Sequence, residues 1–377
     1  MYNPKYILAD LIAFKTDATV LSNKDMIDYI CHFFDNRNIL YKRILNDESH
    51  LENLVAGINV NDWHNINTGL VLSGHMDTVS ANLKKWQTNP YQAVYRDNCL
   101  YGRGTVDMKY FIAVVLSILD KLKHLQMPVF LVFTCDEETA AYGIQHILSF
   151  FKENNIQLQY ALVGEPTHFE LGYTHRGYLG YTTNIKGISA HASMPRLGVN
   201  AIYIASQISS YIESLNHIYE PQGTTLNVGT IQGGVGRNSI PNEAFIEWEI
   251  RSFEKKHQEH ILEEINQFHQ NLLSTYKGAE IILKKDEVFP LYQLSQNSTI
   301  FKLGKDILKT NGLNLPYTTE AGFLQEYGIE TLICGAGDEK LAHTSCEYIQ
   351  IEDLYKYRNF LISFIQKLEE LYLKEIK

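Results

Sequence analysis

The chain has 377 residues, 45% of them hydrophobic and 20% charged, and its formal net charge is −10. These values are typical of a globular protein long enough for two domains, and the negative charge argues against general nucleic-acid binding, which requires a basic surface. The sequence contains no apolar run of about 18 residues and no basic N-terminal leader. We therefore expect a cytoplasmic protein that binds neither nucleic acid nor membranes.

Helices and strands alternate in the first part of the chain. Residues 4–15 have helical periodicity after Pro4, and a second helix is predicted to begin after Ser22 and Asn23. Residues 39–44 are predicted to form a strand. The five cysteines are scattered and lack Cys-x-x-Cys spacing, which indicates neither a disulfide framework nor a thiolate zinc site.

His75 and Asp77 follow a short apolar run that predicts a buried strand. Alternation along a strand places both side chains on one face at its end, where α/β sheets bind their ligands. A histidine beside a carboxylate suits a metal ligand whose ring is oriented by a hydrogen-bond acceptor. Taken alone, such a pair is more often a stabilising hydrogen bond.

Acidic residues follow the next predicted elements in the same way. They are Asp107 before a predicted helix at 110–124, Asp136, Glu137 and Glu138 after a strand at 128–134, and Glu165 after a strand at 160–163. Each of them alone also fits a solvated helix N-terminus or an ordinary turn. A nucleotide-binding loop at Gly102–Gly104 is a weaker alternative, because the remaining glycine spacing is absent.

From about residue 175 the pattern becomes α+β. Strands are predicted at 178–185, 225–231 and 243–253, with helices after Asn200 and at 255–275. An open sheet edge in such a unit invites pairing with a second copy. We predict a lid and dimerisation domain at 175–283, inserted into a catalytic domain at 1–174 and 284–377, and a homodimer.

The α/β pattern returns after the insertion. A helix is predicted at 301–308, a loop at 318–322, a strand at 331–334 and a closing helix at 352–376, with His343 between the last two. The predicted fold class is α/β, a mixed and largely parallel sheet flanked by helices, with an inserted α+β domain.

Strand ends and loops thus supply two imidazoles and three carboxylates. They are His75, Asp107, Glu138, Glu165 and His343. This set suits a pair of zinc-like ions that share one carboxylate, and two ions about 3.5–4 Å apart activate water and stabilise a developing oxyanion. Either Glu137 or Glu138 would be left as a general base, and the residues alone do not decide which.

Eight stretches follow one another along nearly the whole chain. They are SGHMDTV, GRGTVDMK, DEETAAYG, GEPT, AHASMP with LGVNAI, TLNVG with IQGG and NSIP, TEAGF, and AHTSCEY. In this order they resemble the motif series of the M20 family of dinuclear zinc amidohydrolases and peptidases. Thr105, Thr139, the GEPT turn and the TEAGF segment are more similar to the acetylornithine deacetylases than to the succinyl-diaminopimelate desuccinylases or the dipeptidases.

The resemblance implies a role for each candidate residue. His75, Asp107 and Glu165 would hold one divalent ion, and Asp107, Glu138 and His343 the other, with zinc as the metal and cobalt as an alternative. Asp77 would orient His75, and Glu137 would be the general base. In the lid, His191 would reach across a dimer to the oxyanion, and Asn238 and Arg251 would hold the substrate carboxylate.

The implied reaction is hydrolysis of an N-acyl amino acid, with N2-acetyl-L-ornithine as substrate and L-ornithine and acetate as products. Another N-acyl-amino-acid substrate, a dipeptide substrate, and a scaffold that has lost catalysis are the alternatives. Two positions depart from the family pattern. Tyr110 stands where glycine is usual, and the loop of His343 has Leu341 where glutamine is more familiar.

Overall fold

The computed structural model describes residues 2–375. These residues divide into two compact units. Unit 1 comprises the chain up to Tyr173, Leu294–Leu315 and the chain from Thr319 onward, and unit 2 comprises Thr174–Gln293 and Pro316–Thr318. No helix within residues 2–375 combines the length and apolar character needed to cross a membrane.

The helices and strands are labelled in chain order. The helices are α1 (Pro4–Ala13), α2 (Lys24–Asp35), α3 (Lys109–Ser117), α4 (Leu119–Leu122), α5 (Tyr142–Glu153), α6 (Ala201–Tyr219), α7 (Lys255–Thr275), α8 (Thr299–Leu308), α9 (Ala321–Glu326) and α10 (Ile351–Glu375). The strands are β1 (Leu40–Leu45), β2 (Glu52–Ile58), β3 (Leu70–His75), β4 (Val94–Arg96), β5 (Cys99–Tyr101), β6 (Val129–Thr134), β7 (Tyr160–Val163), β8 (Gly172–His175), β9 (Gly177–Lys186), β10 (Ala190–His191), β11 (Thr225–Gly233), β12 (Ser239–Ile240), β13 (Glu243–Ser252), β14 (Glu280–Phe289), β15 (Tyr292–Gln293), β16 (Leu313–Leu315), β17 (Glu330–Ile333) and β18 (Tyr348–Gln350).

Unit 1 is built on a mixed sheet that contains β1-β2-β6-β3-β7-β17 in this order, in which β6, β3, β7 and β17 run parallel. Every residue of β3, β6 and β7 is buried, as expected for parallel strands covered on both faces. His75 lies opposite Thr134, so the carboxyl ends of β3 and β6 coincide at one edge. The α/β fold class predicted from the sequence is confirmed.

Unit 2 contains a sheet in the order β11-β13-β9-β14, and α6 and α7 form a common apolar core with it. Along β13, Ile246, Trp248 and Ile250 are buried in this core, while the alternate residues Glu249 and Arg251 lie on the opposite face. This alternation is that of a sheet with one covered face. Strands β11 and β14 are its edges.

The structure differs from the sequence prediction at three boundaries. Unit 2 extends to Gln293 rather than to residue 283, because β14 pairs along β9. The sequence prediction stopped short because the charged residues of β14 obscure the alternation of apolar and polar side chains that marks a strand. The predicted helix at 110–124 is two helices, α3 and α4, which meet where the Ser117 hydroxyl donates to the carbonyl of Val114 at 2.7 Å. The predicted loop at 318–322 ends earlier, since α9 begins at Ala321.

Candidate metal centre

His75 ends β3 and is 1% exposed. Its Nδ1 lies 2.9 Å from the main-chain oxygen of Asp77 and 3.6 Å from the nearer carboxylate oxygen of that residue. Because a carbonyl oxygen accepts hydrogen bonds, Nδ1 carries the proton, and Nε2 is the atom that a neutral ring offers to a metal ion. Asp77 was expected to orient His75. In the structure its main chain makes the shorter contact, while its carboxylate accepts from the N–H of Glu138 at 3.0 Å.

Asp107 lies between the two imidazoles. Its Oδ1 is 2.9 Å from Nε2 of His75, and its Oδ2 is 3.2 Å from Nε2 of His343. The same His343 nitrogen is 3.0 Å from Oε2 of Glu138, and His75 Nε2 is 3.8 Å from Oε1 of Glu165. Asp107 therefore offers one oxygen to each histidine, which is the arrangement of a bridging carboxylate.

These side chains form two groups that could each hold a metal ion. One group is His75, Asp107 and Glu165, the other is Asp107, Glu138 and His343, and the ligand atoms within each lie within 4.8 Å of one another. All five candidate ligands from the sequence are thus brought together, although they come from widely separated parts of the chain. Their role as ligands stays a prediction.

The loop of Asp107 is held by Glu347, a residue that the sequence analysis missed. Glu347 is fully buried, pairs with Arg103 at 2.7 Å, and accepts from the main-chain N–H groups of Val106 at 2.8 Å and Asp107 at 3.2 Å. Because it follows His343 by four residues, Glu347 joins the loops of two candidate ligands. The feature of the sequence that could have indicated this role is the place of Glu347 within the AHTSCEY motif.

The cluster places several buried carboxylates close together, which makes it unfavourable for all of them to be ionised. Burial raises the pKa of Glu165 and of Glu138, and the charge of Asp107 raises both further. Hydrogen bonds with Asp107 and Glu138 raise the pKa of His343 to about 10. Burial opposes ionisation of Asp107, yet hydrogen bonds from His343 and His75 lower its pKa. Several buried carboxylates thus compete for little positive charge, and nearby cations relieve this competition.

The donor set fits a pair of divalent transition-metal ions. Imidazole nitrogen and carboxylate oxygen are both common zinc ligands. Each group brings together three side chains that could act as ligands. Three ligands leave coordination positions for water and substrate, which is characteristic of catalytic rather than structural zinc sites.

Glu137 adjoins the ligands but belongs to neither group. It is partly buried, and burial raises its pKa well above the usual value, with the charges of Glu165 and Glu138 adding to the effect. A carboxylate with a raised pKa can take and return a proton near neutral pH. The geometry separates the two neighbouring acids, since Glu138 contacts His343 and Glu137 remains available as a base.

Glu320 is a further acid near this cluster to which the sequence analysis gave no role. It is 1% exposed, and within residues 2–375 its buried Oε1 has no hydrogen-bond partner. Burial raises the pKa of Glu320 to about 8, and the charges of Asp77 and Asp136 act in the same direction. Its position in the TEAGF motif was the only signal in the sequence.

Glu320 should make the stability of the metal-free protein depend on pH. Because its folded-state pKa of about 8 exceeds the usual 4.5, its stabilising contribution is complete below pH 4.5 and is lost as the pH rises through 8. The loss is about 1.4 kcal/mol for each pH unit in that window. We expect urea unfolding with a chelator present to show a steeper loss of free energy of unfolding between about pH 5.5 and 8 in the wild type than in Glu320→Gln. Parallel pH profiles would contradict the assignment.

The lid candidates lie in unit 2. His191 in β10 pairs with Ser239 in β12, and the N–H of Ala192 donates to the carbonyl of Asn238 at 3.0 Å, so His191 and Asn238 are neighbours. Both are exposed.

Arg251 lies elsewhere in unit 2, near the end of β13. Its guanidinium donates to Glu249 at 2.8 Å and lies over the ring of Tyr178, 4.8 Å from the centroid. Since a strand advances about 3.3 Å per residue, the step from Glu243 to Arg251 puts Arg251 roughly 25 Å from the end of β13 that adjoins Asn238. The structure therefore does not bring Arg251 to the other two candidates.

Residues 71–367 match the model of peptidase family M20/M25/M40. The chain belongs to this family. Two curated relatives of this M20 member are both named acetylornithine deacetylase. The protein of Buchnera aphidicola (subspecies Acyrthosiphon pisum) is 28% identical over 357 residues, which cover 92% of this chain and 91% of the relative. The protein of Aliivibrio fischeri is 30% identical over 311 residues, which cover 80% of each.

Solved structures share the fold of this M20 member. A tripeptidase from Staphylococcus aureus superposes with a TM-score of 0.77 at 20% identity and covers 98% of both chains. A Bacillus subtilis protein described as a dinuclear metal-binding peptidase of the M20 family has a TM-score of 0.68 at 15% identity, covering 97% of this chain and 98% of that one. Family membership confirms that the chain is an M20 metallopeptidase or amidohydrolase.

Proposed function

We propose that this M20 enzyme hydrolyses N2-acetyl-L-ornithine to L-ornithine and acetate, a reaction of arginine biosynthesis, with two divalent ions, zinc or alternatively cobalt. The observation that carries the proposal is the pair of ligand groups that share Asp107, with Glu137 beside them but in neither. The names of the curated relatives, which align over most of the chain, support the choice of substrate.

The bound ions would supply Lewis acidity, which lowers the pKa of a water molecule and polarises a carbonyl oxygen. Glu137 takes the proton from the attacking water and returns it to the nitrogen of the leaving amine, a transfer suited to its raised pKa. His191 donates to the oxygen on which negative charge develops. Asn238 and the guanidinium of Arg251 hold the substrate carboxylate and so orient the scissile amide.

We also propose that the enzyme acts as a homodimer. His191 and Asn238 are roughly 25 Å from Arg251 along β13, so a single lid cannot bring all three side chains to one small substrate. A second copy can supply the missing ones. Large apolar side chains near His191 are exposed, with Val235 at 98%, Leu197 at 68% and Tyr203 at 62%, and such patches are typical of interaction surfaces.

The cytoplasm is the compartment we propose for this reaction. All five cysteines, Cys31, Cys99, Cys135, Cys334 and Cys346, are free thiols, as suits a reducing compartment. A peptidase activity is the second candidate, because the S. aureus neighbour is named a tripeptidase. The intact pair of ligand groups argues against a scaffold without catalysis.

A panel of substrates tests the proposal. We expect purified, zinc-loaded enzyme to release acetate from N2-acetyl-L-ornithine faster than it cleaves N-succinyl-diaminopimelate, a dipeptide or a tripeptide. Enzyme treated with a chelator should release none. If another member of the panel is turned over briskly and N2-acetyl-L-ornithine is not, the substrate assignment is wrong. If two zinc ions bind and no member of the panel is hydrolysed, the result would favour a scaffold protein that has lost catalysis.

A further inference from the structure

Tyr110 is fully buried in the first turn of α3, three residues after Asp107. Its hydroxyl donates to the carbonyl of Gly164 at 2.7 Å and accepts from the N–H of Ala336 at 2.8 Å. Its ring packs edge-on against Tyr357 with the centroids 5.6 Å apart. Since a buried polar group is costly to leave without partners, these two bonds fix the hydroxyl in position.

The two bonds join the turns that follow two neighbouring parallel strands. Gly164 follows β7 and directly precedes Glu165, and Ala336 lies in the turn after β17. Gly335 packs closely against both Tyr110 and Glu165. A Cβ atom on Gly335 would lie 2.0 Å from the Tyr110 hydroxyl oxygen and 2.2 Å from the carbonyl oxygen of Glu165. With no free space between these groups, a displaced Tyr110 hydroxyl would displace the main chain at Glu165.

We propose that Tyr110 is a positioning residue that sets Glu165 relative to Asp107. Asp107 lies in the turn that leads into α3, and Tyr110 extends from the first turn of that helix to the residue before Glu165. One helical turn thus connects the two carboxylates of the His75, Asp107 and Glu165 group. The hydroxyl acts through the Gly164 main chain and touches neither ion nor substrate.

The inference rests on the proposed metal centre, and the test separates the two. Full-length protein, stripped with a chelator, is titrated with cobalt(II) chloride while heat and visible absorption are recorded. We expect two ions to bind the wild type. Tyr110→Phe keeps the ring and loses the hydroxyl. In this variant we expect the ion of the Glu165 group to bind about tenfold more weakly, which is the lower end of the loss seen when a residue that holds a metal ligand in place is replaced. The ion of the Glu138 and His343 group should bind as before.

Tyr357→Phe is the matched control. Tyr357 is equally buried, packs against Tyr110, and donates its hydroxyl to the carbonyl of Cys334 at 2.6 Å, but it makes no hydrogen bond with Gly164. Both substitutions remove a buried hydroxyl and should lower the melting temperature. Only Tyr110→Phe should weaken cobalt binding and change the absorption spectrum of the bound ion.

A double substitution adds a readout that a general loss of stability would not produce. If Tyr110 acts through Glu165, adding Tyr110→Phe to Glu165→Gln should weaken cobalt binding no further, whereas independent effects would add. Additive losses, an unchanged affinity in Tyr110→Phe, or an equal loss in Tyr357→Phe would each overturn the positioning role. Failure of the wild type to bind two ions would instead overturn the proposed metal centre.

Discussion

Replacing Glu137 by glutamine is expected to abolish hydrolysis while both metal ions remain bound. Glu137 belongs to neither ligand group, and its raised pKa suits it to proton transfer. Glutamine has nearly the same shape but cannot accept the proton of the attacking water. Because a positioned acid or base contributes about 10²–10⁴-fold to rate, we expect kcat to fall by that factor. Initial rates and the number of zinc ions per chain, measured on one sample, check both parts.

The neighbouring acid provides the contrast. Glu138 contacts His343 at 3.0 Å within a ligand group, so Glu138→Gln should lose bound metal as well as activity. If Glu137→Gln kept most of its activity, or if it were the variant that lost metal, the assignment of these two adjacent acids would be reversed or wrong.

The Glu137→Gln variant can also be used to test the proposed dimer. Glu137→Gln and His191→Ala are each expected to be inactive, but a mixed dimer would contain one site with its own Glu137 and the intact His191 of the other copy. After unfolding and refolding together, about one quarter of the wild-type activity should return, since half of randomly paired dimers are mixed and each has one such site. No recovery from a mixture that is shown to be dimeric would exclude a His191 that acts across the dimer.

Replacing Asp107 by asparagine is expected to remove both metal ions at once. Asp107 is the one residue common to the two ligand groups, and its two oxygens approach different histidines, at 2.9 Å and 3.2 Å. Asparagine offers one oxygen and no charge, so neither group keeps its full set of charged ligands. When free zinc exceeds its dissociation constant a hundredfold, binding stabilises the wild type by about 2.7 kcal/mol. We expect zinc to raise the wild-type melting temperature and to leave that of Asp107→Asn unchanged.

Asp136→Asn is the control for this substitution. Asp136 is also a buried aspartate, but its carboxylate accepts from Gly143 N–H and Asn46 Nδ2 and lies outside both ligand groups. Its replacement should lower stability and leave zinc binding intact. Two ions bound to Asp107→Asn, or a response to zinc equal to that of the wild type, would refute the bridging role.

The strands that carry the candidate ligands could be predicted because their physics is local. In β3, β6 and β7 an apolar run leads within one or two further residues to His75, to Asp136–Glu138 and to Glu165. The ends of parallel strands coincide, so the convergence of these residues could be expected. Unit 2 was harder to delimit, because β14 is an edge strand rich in charge and is recognised by its pairing with β9.

The order of Glu137 and Glu138 could not be obtained from local pattern, because it depends on which carboxylate turns toward His343, a residue about 200 positions away. Glu347, Glu320 and Tyr110 were missed as contributors to the site for a related reason. Glu347 and Tyr110 act through burial and through hydrogen bonds to segments distant in sequence, such as the 240 positions that separate Glu347 from Asp107, and Glu320 acts through burial beside acids of other segments. A glutamate in a loop has no periodicity that would distinguish a buried acceptor from a solvated charge.

The link between Glu347 and the Asp107 loop has a consequence during protein synthesis. The ribosome adds the 240 residues between them in roughly 10 to 50 s. Glu138 and Glu165 are added early in that interval, but almost until its end the nascent chain lacks His343 and the acceptor that fixes the Asp107 loop. The two candidate ligand groups therefore cannot both be complete until translation has passed His343, and a chain released before Glu347 has the acidic residues without the acceptor that holds the Asp107 loop.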